Sequence, residues 1–491
     1  QGGFRRKLSC FLYSGAENNV GKLILKNLRD VKELTAAGDL TMNYEKIKLL
    51  YENMPKEIKY LLAPLFQRVL IRNKVYKKTY TELDQFENLE EEKKKEIIIN
   101  KLKQTLIYAY ENVPYYRRTF DKVKFNPYKF RNVEEMKAIP LLDKNIAVNE
   151  GENLYSRENI ACYESCTSGS TGKAFRVLLD KDSIYKERAF VLHYLNKFGF
   201  DTGKTRTLAF WGHNKDQDYY YSPMKNEIVI SPFRLFKENE FPSVWADIKK
   251  FKPDVLSGYP SAIYVFAKLV RKYNKKLPVK FVEFYAENYT PEIKEYVEMT
   301  FGCRTVARYG HTERAVFAEL YPEGYKFNGL YGFTELIPME EDGDIQKFRI
   351  VCTGFLCKKM PLIRYATDDA VFFNEQGQME ICGHTTSEDH VMGKNGVQIY
   401  KGTLAPHIAP FEKVKLYQFV QYEEGKAYLD LVPEQPLTDQ DLKILYAYYE
   451  RKCEGVLEIK IRIVDRVIMS RRGKYNWVIK DMKKKNPEEG K

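Results

Sequence analysis

Short apolar segments alternate with amphipathic helices after residue 200, and this alternation limits the chain to a layered fold. Helices are predicted from about Ala262 to Tyr273 and again after Thr290, which stands where a helix cap is expected. Strands that alternate with helices build a sheet covered by helices. The predicted fold class is therefore α/β, with a β-rich portion from Leu330 to Phe373. The segments read as strands are 205–211, 253–258, 279–286 and 304–309.

Each of these strands ends in polar, aromatic or glycine residues. Ligands in open α/β sheets bind at the carboxyl ends of the strands. Four strands that finish in this way indicate one shared ligand site. The four endings are Trp211-Gly-His213, Gly258-Tyr-Pro-Ser261, Ala286-Glu287 and Tyr309-Gly-His-Thr-Glu313.

A run of small, hydroxylic and flexible residues, T-S-G-S-T-G-K, extends from Thr167 to Lys173 between two apolar segments. Glycine lets successive backbone N–H groups turn toward an anion, and Lys173 adds a point charge for a phosphate oxygen. A Walker loop is excluded, because Thr167 and Ala174 stand where that pattern needs a glycine and a Ser or Thr. The alternative is a plain polar turn that joins two strands.

Length, charge and cysteine content narrow the class of protein. A chain of 491 residues with 44% hydrophobic residues should form two or more globular domains. The net charge of +13 suits an anionic partner, but the basic residues are dispersed, so we expect no nucleic-acid binding. Eight scattered cysteines fit neither a disulfide framework nor zinc knuckles, and they favour a reducing cytoplasm. No apolar run approaches the roughly 20 residues of a membrane-spanning helix.

The first 105 residues are predicted to be helical. Tyr60 to Lys78 mixes apolar and basic residues, which suits either contact with an anionic membrane surface or packing on the domain. Asn88 and Glu91 have the spacing of a helix cap and its third residue, which predicts a helix to about Glu111. Its inner face would carry Ile98, Leu102, Leu106 and Ala109.

Five motifs occur in an order that resembles the adenylate-forming (acyl-AMP) ligase superfamily. Three further elements narrow the resemblance to the phenylacetate–CoA ligase-like branch, which includes ligases linked to capsular polysaccharide assembly. These are A-x-x-x-V-P-Y-Y-R ending at Arg117, I-P-x-x-x-K ending at Lys144, and G-Y-P-S at 258–261. The five ordered motifs are the loop at 167–173, Ala286-Glu287, Y-G-H-T-E at 309–313, I-R-Y-A-T-D-D at 363–369, and R-G-K-Y at 472–475.

The resemblance implies a division into three parts. Residues 1–105 would form a helical N-terminal extension. Residues 106–382 would form the adenylate-forming core with the ATP site, and residues 383–491 a small, mobile α+β domain that carries Lys474. The hinge should fall near Gly383, after the strand from Met379 to Cys382.

The same resemblance implies roles for individual residues. Glu313 would bind Mg²⁺, Thr312 would contact the α-phosphate, and Lys474 would stabilise charge between the carboxylate and that phosphate. Tyr309 would stack on adenine and Asp369 would bind the ribose, with Ala286, Glu287 and Gly310 in the same nucleotide site. The β- and γ-phosphates would be held by Thr167, Ser168, Gly169, Ser170, Thr171, Gly172 and Lys173.

The acyl pocket implied by the resemblance lies at the strand ends. A pocket for a plain aryl acid should be mostly apolar. The polar groups offered here instead suggest an amino acid or a hydroxylated acid. The implied pocket residues are Trp211, His213, Tyr259, Ser261 and His311.

Two departures from the family pattern concern the ribose motif and the hinge. Asp368 replaces the glycine of the ribose motif. The hinge motif G-R-x-D-D reads Gly383-His-Thr-Thr-Ser-Glu-Asp389, so that His384 replaces the arginine. Glu388 and Asp389 are both candidates for the hinge acid.

The predicted function is an ATP-dependent ligase that activates a small carboxylic acid and passes the acyl group to an amine, hydroxyl or thiol. ATP and Mg²⁺ are the expected cofactors, with coenzyme A as one acceptor, and the setting is expected to be capsular polysaccharide synthesis in the cytoplasm. The alternatives are an aryl-acid–CoA ligase and a catalytically silent adenylate-binding scaffold.

Overall fold

The structure is a computed structural model that describes nine stretches of the chain. The loop at 167–173, Trp211, His213, the hinge segment and Lys474 lie outside them. The described residues are 69–166, 175–210, 219–222, 225–287, 289–339, 346–382, 390–404, 408–468 and 477–480.

The described chain begins with helices. Leu102, Leu106 and Ala109 of α3 are buried, as the sequence predicts. Pro114 stands at the first position of the next helix, where its missing N–H costs nothing. The helices are α1 (Val69–Arg72), α2 (Lys74–Glu87), α3 (Glu91–Asn112), α4 (Pro114–Lys122) and α5 (Lys144–Glu150).

The predicted cap of α3 is wrong. Asn88 instead ends α2, and its side-chain amide donates to the Asp84 carbonyl oxygen. Glu90 occupies the cap position of α3 without a side-chain capping bond. The predicted boundary between residues 105 and 106 falls inside α3, which runs unbroken to Asn112.

A β-hairpin flanks the predicted phosphate loop. Strands β1 (Cys162–Cys166) and β2 (Arg176–Asp180) pair antiparallel, with Cys166 opposite Arg176. The segment 167–174 therefore connects two paired strands. Both predictions for this segment, a plain polar turn and a phosphate loop, fit a connection between paired strands.

Twelve strands form one sheet, in the order β11-β12-β13-β14-β10-β9-β8-β7-β6-β3-β5-β4. Strands β5, β3, β6, β7 and β8 are parallel neighbours. The elements up to β8 are α6 (Ser183–Asn196), β3 (Thr207–Phe210), β4 (Tyr219–Ser222), β5 (Glu227–Ile230), α7 (Pro232–Phe236), α8 (Phe241–Phe251), β6 (Val255–Gly258), α9 (Pro260–Lys272), β7 (Val282–Phe284), α10 (Pro291–Phe301) and β8 (Thr305–Gly310).

Helices cover both faces of the parallel strands. Helices α2 and α6 pack on one face, with Val255, Phe281 and Val306 in their shared core. Helices α8, α9 and α10 cover the other face in a second core. The α/β fold class is confirmed, because this is the helix-covered sheet that alternating elements predict.

The β-rich portion continues the same sheet with mainly antiparallel pairs. Its buried residues join α3, α4 and the hairpin in a third core. The strands are β9 (Phe317–Tyr321), β10 (Gly324–Phe327), β11 (Gly332–Pro338), β12 (Lys347–Gly354), β13 (Tyr365–Phe373) and β14 (Met379–Cys382).

The C-terminal part has its own sheet, ordered β19-β18-β17-β20, and its own core. Phe233 of α7 joins that core, and Lys237 pairs with Glu454 at 3.1 Å between the two parts. Among the described residues, no helix is long and apolar enough to cross a membrane. The elements are β15 (His390–Met392), β16 (Gln398–Tyr400), α11 (Lys401–Leu404), β17 (Val414–Glu423), β18 (Lys426–Pro433), α12 (Asp439–Cys453), β19 (Glu458–Ile463) and β20 (Val478–Lys480).

Gly258 closes β6 where two strands approach too closely for a side chain. Its φ is +151°, and a Cβ there would lie 2.9 Å from the carbonyl carbon of Phe210. We expect Gly258→Ala to lower the free energy of unfolding by at least about 3 kcal/mol, because backbone overlap adds to the unfavourable φ. Urea denaturation measures the loss.

Gly377→Ala is the matched control for this substitution. Gly377 has a φ of +73° and no atom within 4 Å of a built Cβ. The control should cost only the left-handed backbone, about 1–2 kcal/mol. Equal losses at the two positions would contradict the role of close approach at Gly258.

Candidate active site

The carboxyl ends of β6 and β7 lie side by side and bring two predicted pocket segments together. The rings of Tyr259 and Tyr285 have their centroids 6.2 Å apart. Pro260 starts α9 directly after Gly258 and Tyr259. The G-Y-P-S motif thus joins a close strand contact to a helix start, and Ser261 faces the end of β7.

Ser261 and Glu287 form a hydrogen-bonded pair at these strand ends. The Ser261 hydroxyl donates to Glu287 Oε2 at 2.6 Å. The other oxygen, Oε1, is buried and makes no hydrogen bond with any residue that the structure describes. Burial raises the pKa of Glu287 from 4.5 to about 7, although the Ser261 hydrogen bonds act in the opposite direction. A carboxyl group of this kind exchanges a proton near neutral pH.

Ala286 precedes this carboxyl group with a φ of +66°. A left-handed backbone is uncommon for a residue that carries a Cβ, and such strain concentrates at ligand sites. Ala286 is exposed at the end of β7. Its backbone is therefore accessible from the side where the sequence predicts the nucleotide.

Tyr309 and Asp369 meet although their strands are not neighbours in the sheet. The Tyr309 hydroxyl donates to Asp369 Oδ2 at 2.7 Å. Tyr309 lies in β8 and Asp369 in β13, so the contact joins the Y-G-H-T-E motif to the I-R-Y-A-T-D-D motif. Two residues predicted to hold the adenosine portion are thus adjacent in space.

Glu313 is held by two neighbours. His311 Nδ1 lies 3.1 Å from Glu313 Oε2, and the Tyr365 hydroxyl donates to Glu313 Oε1 at 2.9 Å. Burial alone would raise the pKa of Glu313, but the charge and contacts of His311, together with Tyr365, lower it to about 2. Burial acts to lower the pKa of His311, and Glu313 and Cys352 more than offset this, so it stands well above its usual value. The two groups form an imidazolium–carboxylate pair.

The structure therefore places His311 against Glu313. Its Nε2 atom lies 3.8 Å from the sulfur of the buried Cys352, on the side away from Glu313. Its ring centroid is 6.2 Å from that of Tyr365. His311 is thus positioned to act on the charge of Glu313, which the sequence assignment to the acyl pocket did not anticipate.

A tight turn after Gly310, the last residue of β8, carries Thr312 and Glu313. The Arg314 N–H donates to the His311 carbonyl at 3.1 Å, and Arg314 has a φ of +51°. The Arg314 guanidinium pairs with Glu187 of α6 and donates to the Ser183 hydroxyl at 2.7 Å. Helix α6 therefore fixes the turn that presents Thr312.

Arg364, the arginine of the I-R-Y motif, holds the segment before α5 against the sheet through hydrogen bonds and an ion pair. It makes a bidentate pair with Glu335, at 3.0 Å from Nε and 2.8 Å from Nη2. Its Nη1 donates to the Ile139 carbonyl. The Leu142 N–H donates to the Arg364 carbonyl at 3.0 Å, and the Ala366 N–H donates to the Leu142 carbonyl at 2.9 Å.

Lys144 is a site residue that the sequence reasoning left without a role. It is the first residue of α5, and the contacts of Arg364 bring it beside the carboxylates of Asp368 and Glu313. Burial lowers the pKa of Lys144, while those two carboxylates act to raise it. The sequence offered one signal for a role of Lys144, because this residue is the only cation of the I-P-x-x-x-K motif.

The described residues fit a magnesium ion if phosphate oxygens of a bound nucleotide supply most of its ligands. Mg²⁺ in nucleotide sites binds one or two carboxylates and completes its shell with phosphate and water. Glu313 supplies one buried, ionised carboxylate, and the described residues contain no group of three or more metal-ligating side chains. Phosphate oxygens would therefore have to supply the remaining ligands.

The chain is similar to several known proteins. A family described as the CapK C-terminal domain matches residues 391–481. Protein CapK of Staphylococcus aureus is 21% identical over 342 residues, which are 66% of this chain and 73% of the relative. A phenylacetate–coenzyme A ligase of Thermus thermophilus is 25% identical over 378 residues, 70% of this chain and 81% of the relative.

Among solved structures, a 2-hydroxyisobutyryl-CoA ligase is similar with a TM-score of 0.47. It shares 15% sequence identity and covers 80% of this chain and 90% of its own. The motifs and the curated relatives make the chain similar to the adenylate-forming ligase superfamily. Within that superfamily, the similarity is to the phenylacetate–CoA ligases and CapK.

The raised pKa of Glu287 predicts how stability changes with pH. An unfolded carboxyl group releases its proton near pH 4.5, whereas folded Glu287 keeps it until about pH 7. The folded state thus binds more protons in this window, and its contribution to stability is lost as pH rises. We expect the free energy of unfolding of the wild type to fall by up to about 3 kcal/mol relative to Glu287→Gln between pH 4.5 and 7.

Glu375→Gln provides the control for this measurement. Glu375 is exposed in the turn between β13 and β14. Its variant should follow the pH dependence of the wild type in urea denaturation. If Glu287→Gln also follows the wild-type curve, the buried carboxyl group does not hold its proton as inferred.

Proposed function

We propose that the chain is an AMP-forming ligase that uses ATP to activate a carboxylic acid as an acyl adenylate and then transfers the acyl group. The observation that carries this proposal is the assembly of Glu313, Tyr309, Asp369 and Lys144 at the strand ends. These residues come from three separate segments, two of which match nucleotide motifs of the superfamily. Their arrangement suits a nucleotide bound at the ends of β7 and β8 and beside Asp369 of β13.

Adenylation needs little bond-making by side chains. A carboxylate oxygen of the acid forms a bond to the α-phosphorus, and the bond from that phosphorus to the β-phosphate oxygen breaks to release pyrophosphate. Positioning and charge neutralisation supply most of the rate enhancement in such a step. The residues must therefore hold the acid in line and balance charge on the α-phosphate.

The described residues divide these tasks. Tyr309 and Asp369 would bind adenine and ribose, with the Ala286 backbone, Gly310 and Glu287 at the same site. Thr312 would donate to the α-phosphate from the turn that Arg314 fixes. Glu313 would hold Mg²⁺, whose charge would neutralise the phosphates when bound.

Lys144 adds a cation near Glu313. Its position beside Asp368 and Glu313 would let the ammonium group approach the α-phosphate or the acid. Thr167 to Lys173 would hold the β- and γ-phosphates, and Lys474 would complete the charge balance. Both lie outside the described residues, and their roles are proposed from the motifs alone.

The acceptor of the acyl group is proposed as a thiol, with coenzyme A as the leading candidate. Support comes from the relatives, since two of them are named phenylacetate–coenzyme A ligases. An amine or hydroxyl acceptor, and a role in capsular polysaccharide assembly, rest on the similarity to CapK and on the motifs. Membrane contact by the basic N-terminal segment and a cytoplasmic location stay predictions.

Adenylation is tested by pyrophosphate exchange with ATP, Mg²⁺ and a panel of aryl, hydroxylated, amino and dicarboxylic acids. We expect AMP and pyrophosphate as products with at least one class of acid. Glu313→Gln should lower the exchange rate by about a hundredfold, because the site loses its ionised metal ligand. Glu375→Gln, the same change on an exposed turn, should leave it unaltered. Release of ADP and phosphate would instead indicate an acyl-phosphate ligase.

Lys144 provides a second test of the same site. Lys144→Met keeps the length of the side chain and removes its charge, so we expect the adenylation rate to fall by about tenfold or more. Lys129→Met changes an exposed lysine of the same region and should have no such effect. Single-turnover measurement of acyl-AMP formation separates this step from transfer. An unchanged rate in Lys144→Met would remove the residue from the proposed site.

A further inference from the structure

Polar side chains interrupt the apolar face of the sheet beneath α6. Val255, Phe281 and Val306 pack against α6, and Ser257, Glu283 and Arg308 each lie two residues further along the same strands. Residues two apart in a strand share a face. The three polar residues therefore lie between α6 and the sheet, toward the carboxyl ends of the strands.

These three side chains form a closed hydrogen-bonded group. The Ser257 hydroxyl donates to Glu283 Oε2 at 2.6 Å, and Arg308 Nε donates to Glu283 Oε1 at 2.7 Å. Glu283 is only 5% exposed. Each oxygen of the carboxylate thus has a partner, and the charge of Arg308 is balanced.

A second arginine in this cluster, Arg188, has no carboxylate partner among the described residues to balance its charge. Arg188 of α6 is partly buried. The groups close enough to act on its pKa are Arg308, Tyr76 of α2, Glu227 and Glu283. Glu283 is engaged by Arg308, and Glu227 lies 3.7 Å from Lys225. Arg188 makes no hydrogen bond or ion pair with any residue in the part of the chain that the structure describes.

The cluster adjoins the acyl pocket and the adenylation turn. The Arg308 guanidinium lies over the ring of Tyr285, 5.3 Å from its centroid, and that ring lies 6.2 Å from the ring of Tyr259, a residue of the proposed pocket. Glu187, the residue before Arg188, pairs with Arg314 and so holds the turn of Thr312 and Glu313. Arg188 therefore belongs to a cluster that touches Tyr285 through Arg308, and it directly follows the residue that holds the adenylation turn.

A guanidinium that has no partner among the described residues disfavours an apolar occupant at this position. Burial and the neighbouring Arg308 cation lower the pKa of Arg188, which reflects the cost of holding a second positive charge there. An alkyl or aryl group in the pocket would remove water from Arg188 without replacing its hydrogen bonds. A carboxylate would satisfy the planar donors of arginine in a bidentate pair.

We propose that Arg188 binds a second carboxylate of the acid that the enzyme activates, so that the substrate is a dicarboxylic acid. This inference rests on the proposed ligase function and specifies the substrate class of the same site. One carboxylate would lie at the α-phosphate near Thr312. The other would pair with Arg188, while Glu283 stays neutralised by Arg308.

The test compares glutarate with glutaramate, which replaces one carboxylate by an uncharged amide of the same shape. Succinate and adipate extend the comparison in length. For at least one chain length we expect the specificity constant in pyrophosphate exchange to be about tenfold or more higher for the diacid than for its monoamide. A monoamide or hydroxylated monoacid that is used as well as the diacids would overturn the proposal.

Three variants connect the preference to the residue. Arg188→Gln should remove the preference by raising KM for the diacid, with a change of less than about threefold for the monoamide. Arg188→Lys should restore part of the preference. Arg271→Gln, at an exposed arginine of α9, controls for loss of charge. An equal loss with diacid and monoamide in Arg188→Gln would contradict a role in recognition.

A binding measurement separates this inference from the ligase proposal. Equilibrium dialysis of labelled diacid in the presence of ATP and Mg²⁺ needs no turnover. Binding that depends on Arg188, without pyrophosphate exchange for any acid, would support the subsite and overturn the ligase function. Exchange with monocarboxylates, without diacid binding, would support the ligase function and overturn the subsite.

Discussion

The buried ion pair between Arg364 and Glu335 is the contact on which the site depends. It lies in the β-rich half of the sheet, yet the same guanidinium also holds the Ile139 carbonyl of the segment before α5. Because a charged group in such a position is stable only when all its donors are satisfied, the segment and the sheet must come together. The consequence is local: Lys144 is brought beside Asp368 and Glu313, and Tyr365 follows directly in the strand to hold Glu313.

Charge at the end of β8 is balanced before any ligand binds. The imidazolium of His311 offsets the carboxylate of Glu313, and Lys144 faces it from another element. A metal ion that binds Glu313 must therefore compete with a cation already present. Arrival of phosphate groups would favour the metal, since their negative charge adds ligands that His311 does not supply. This arrangement would couple metal binding to nucleotide binding.

The sequence predicts the class of fold and the location of the site, because both depend on local patterns. Alternating strands and helices define the layers, and the polar endings of β6, β7 and β8 meet as parallel strands must. The strand from Met379 to Cys382 is confirmed to the residue. Asn88 was misassigned because a good capping residue also suits the end of the preceding helix. The sequence did not predict that Lys144 lies near Asp368 or that Arg188 lies near Glu283. The residues of each pair are about one hundred or more positions apart in the chain, and no local pattern predicts such proximity.

The two faces of the parallel strands differ in a way that packing alone does not explain. Parallel sheets covered by helices on both sides are usually apolar on both faces. The face under α8, α9 and α10 follows this rule, whereas the face under α6 buries Glu227, Glu283 and Ser257 and partly buries Arg308. Well-packed apolar residues would make the fold at least as stable, because the attraction between paired charges rarely exceeds the cost of removing them from water. Sequences depart from such rules mainly at functional sites. Ser257, Glu283 and Arg308 lie toward the strand ends that hold the proposed adenylation site. Arg188 is the member of this cluster whose charge lacks its own carboxylate among the described residues, so the exception to the packing rule and the proposed diacid subsite are the same feature.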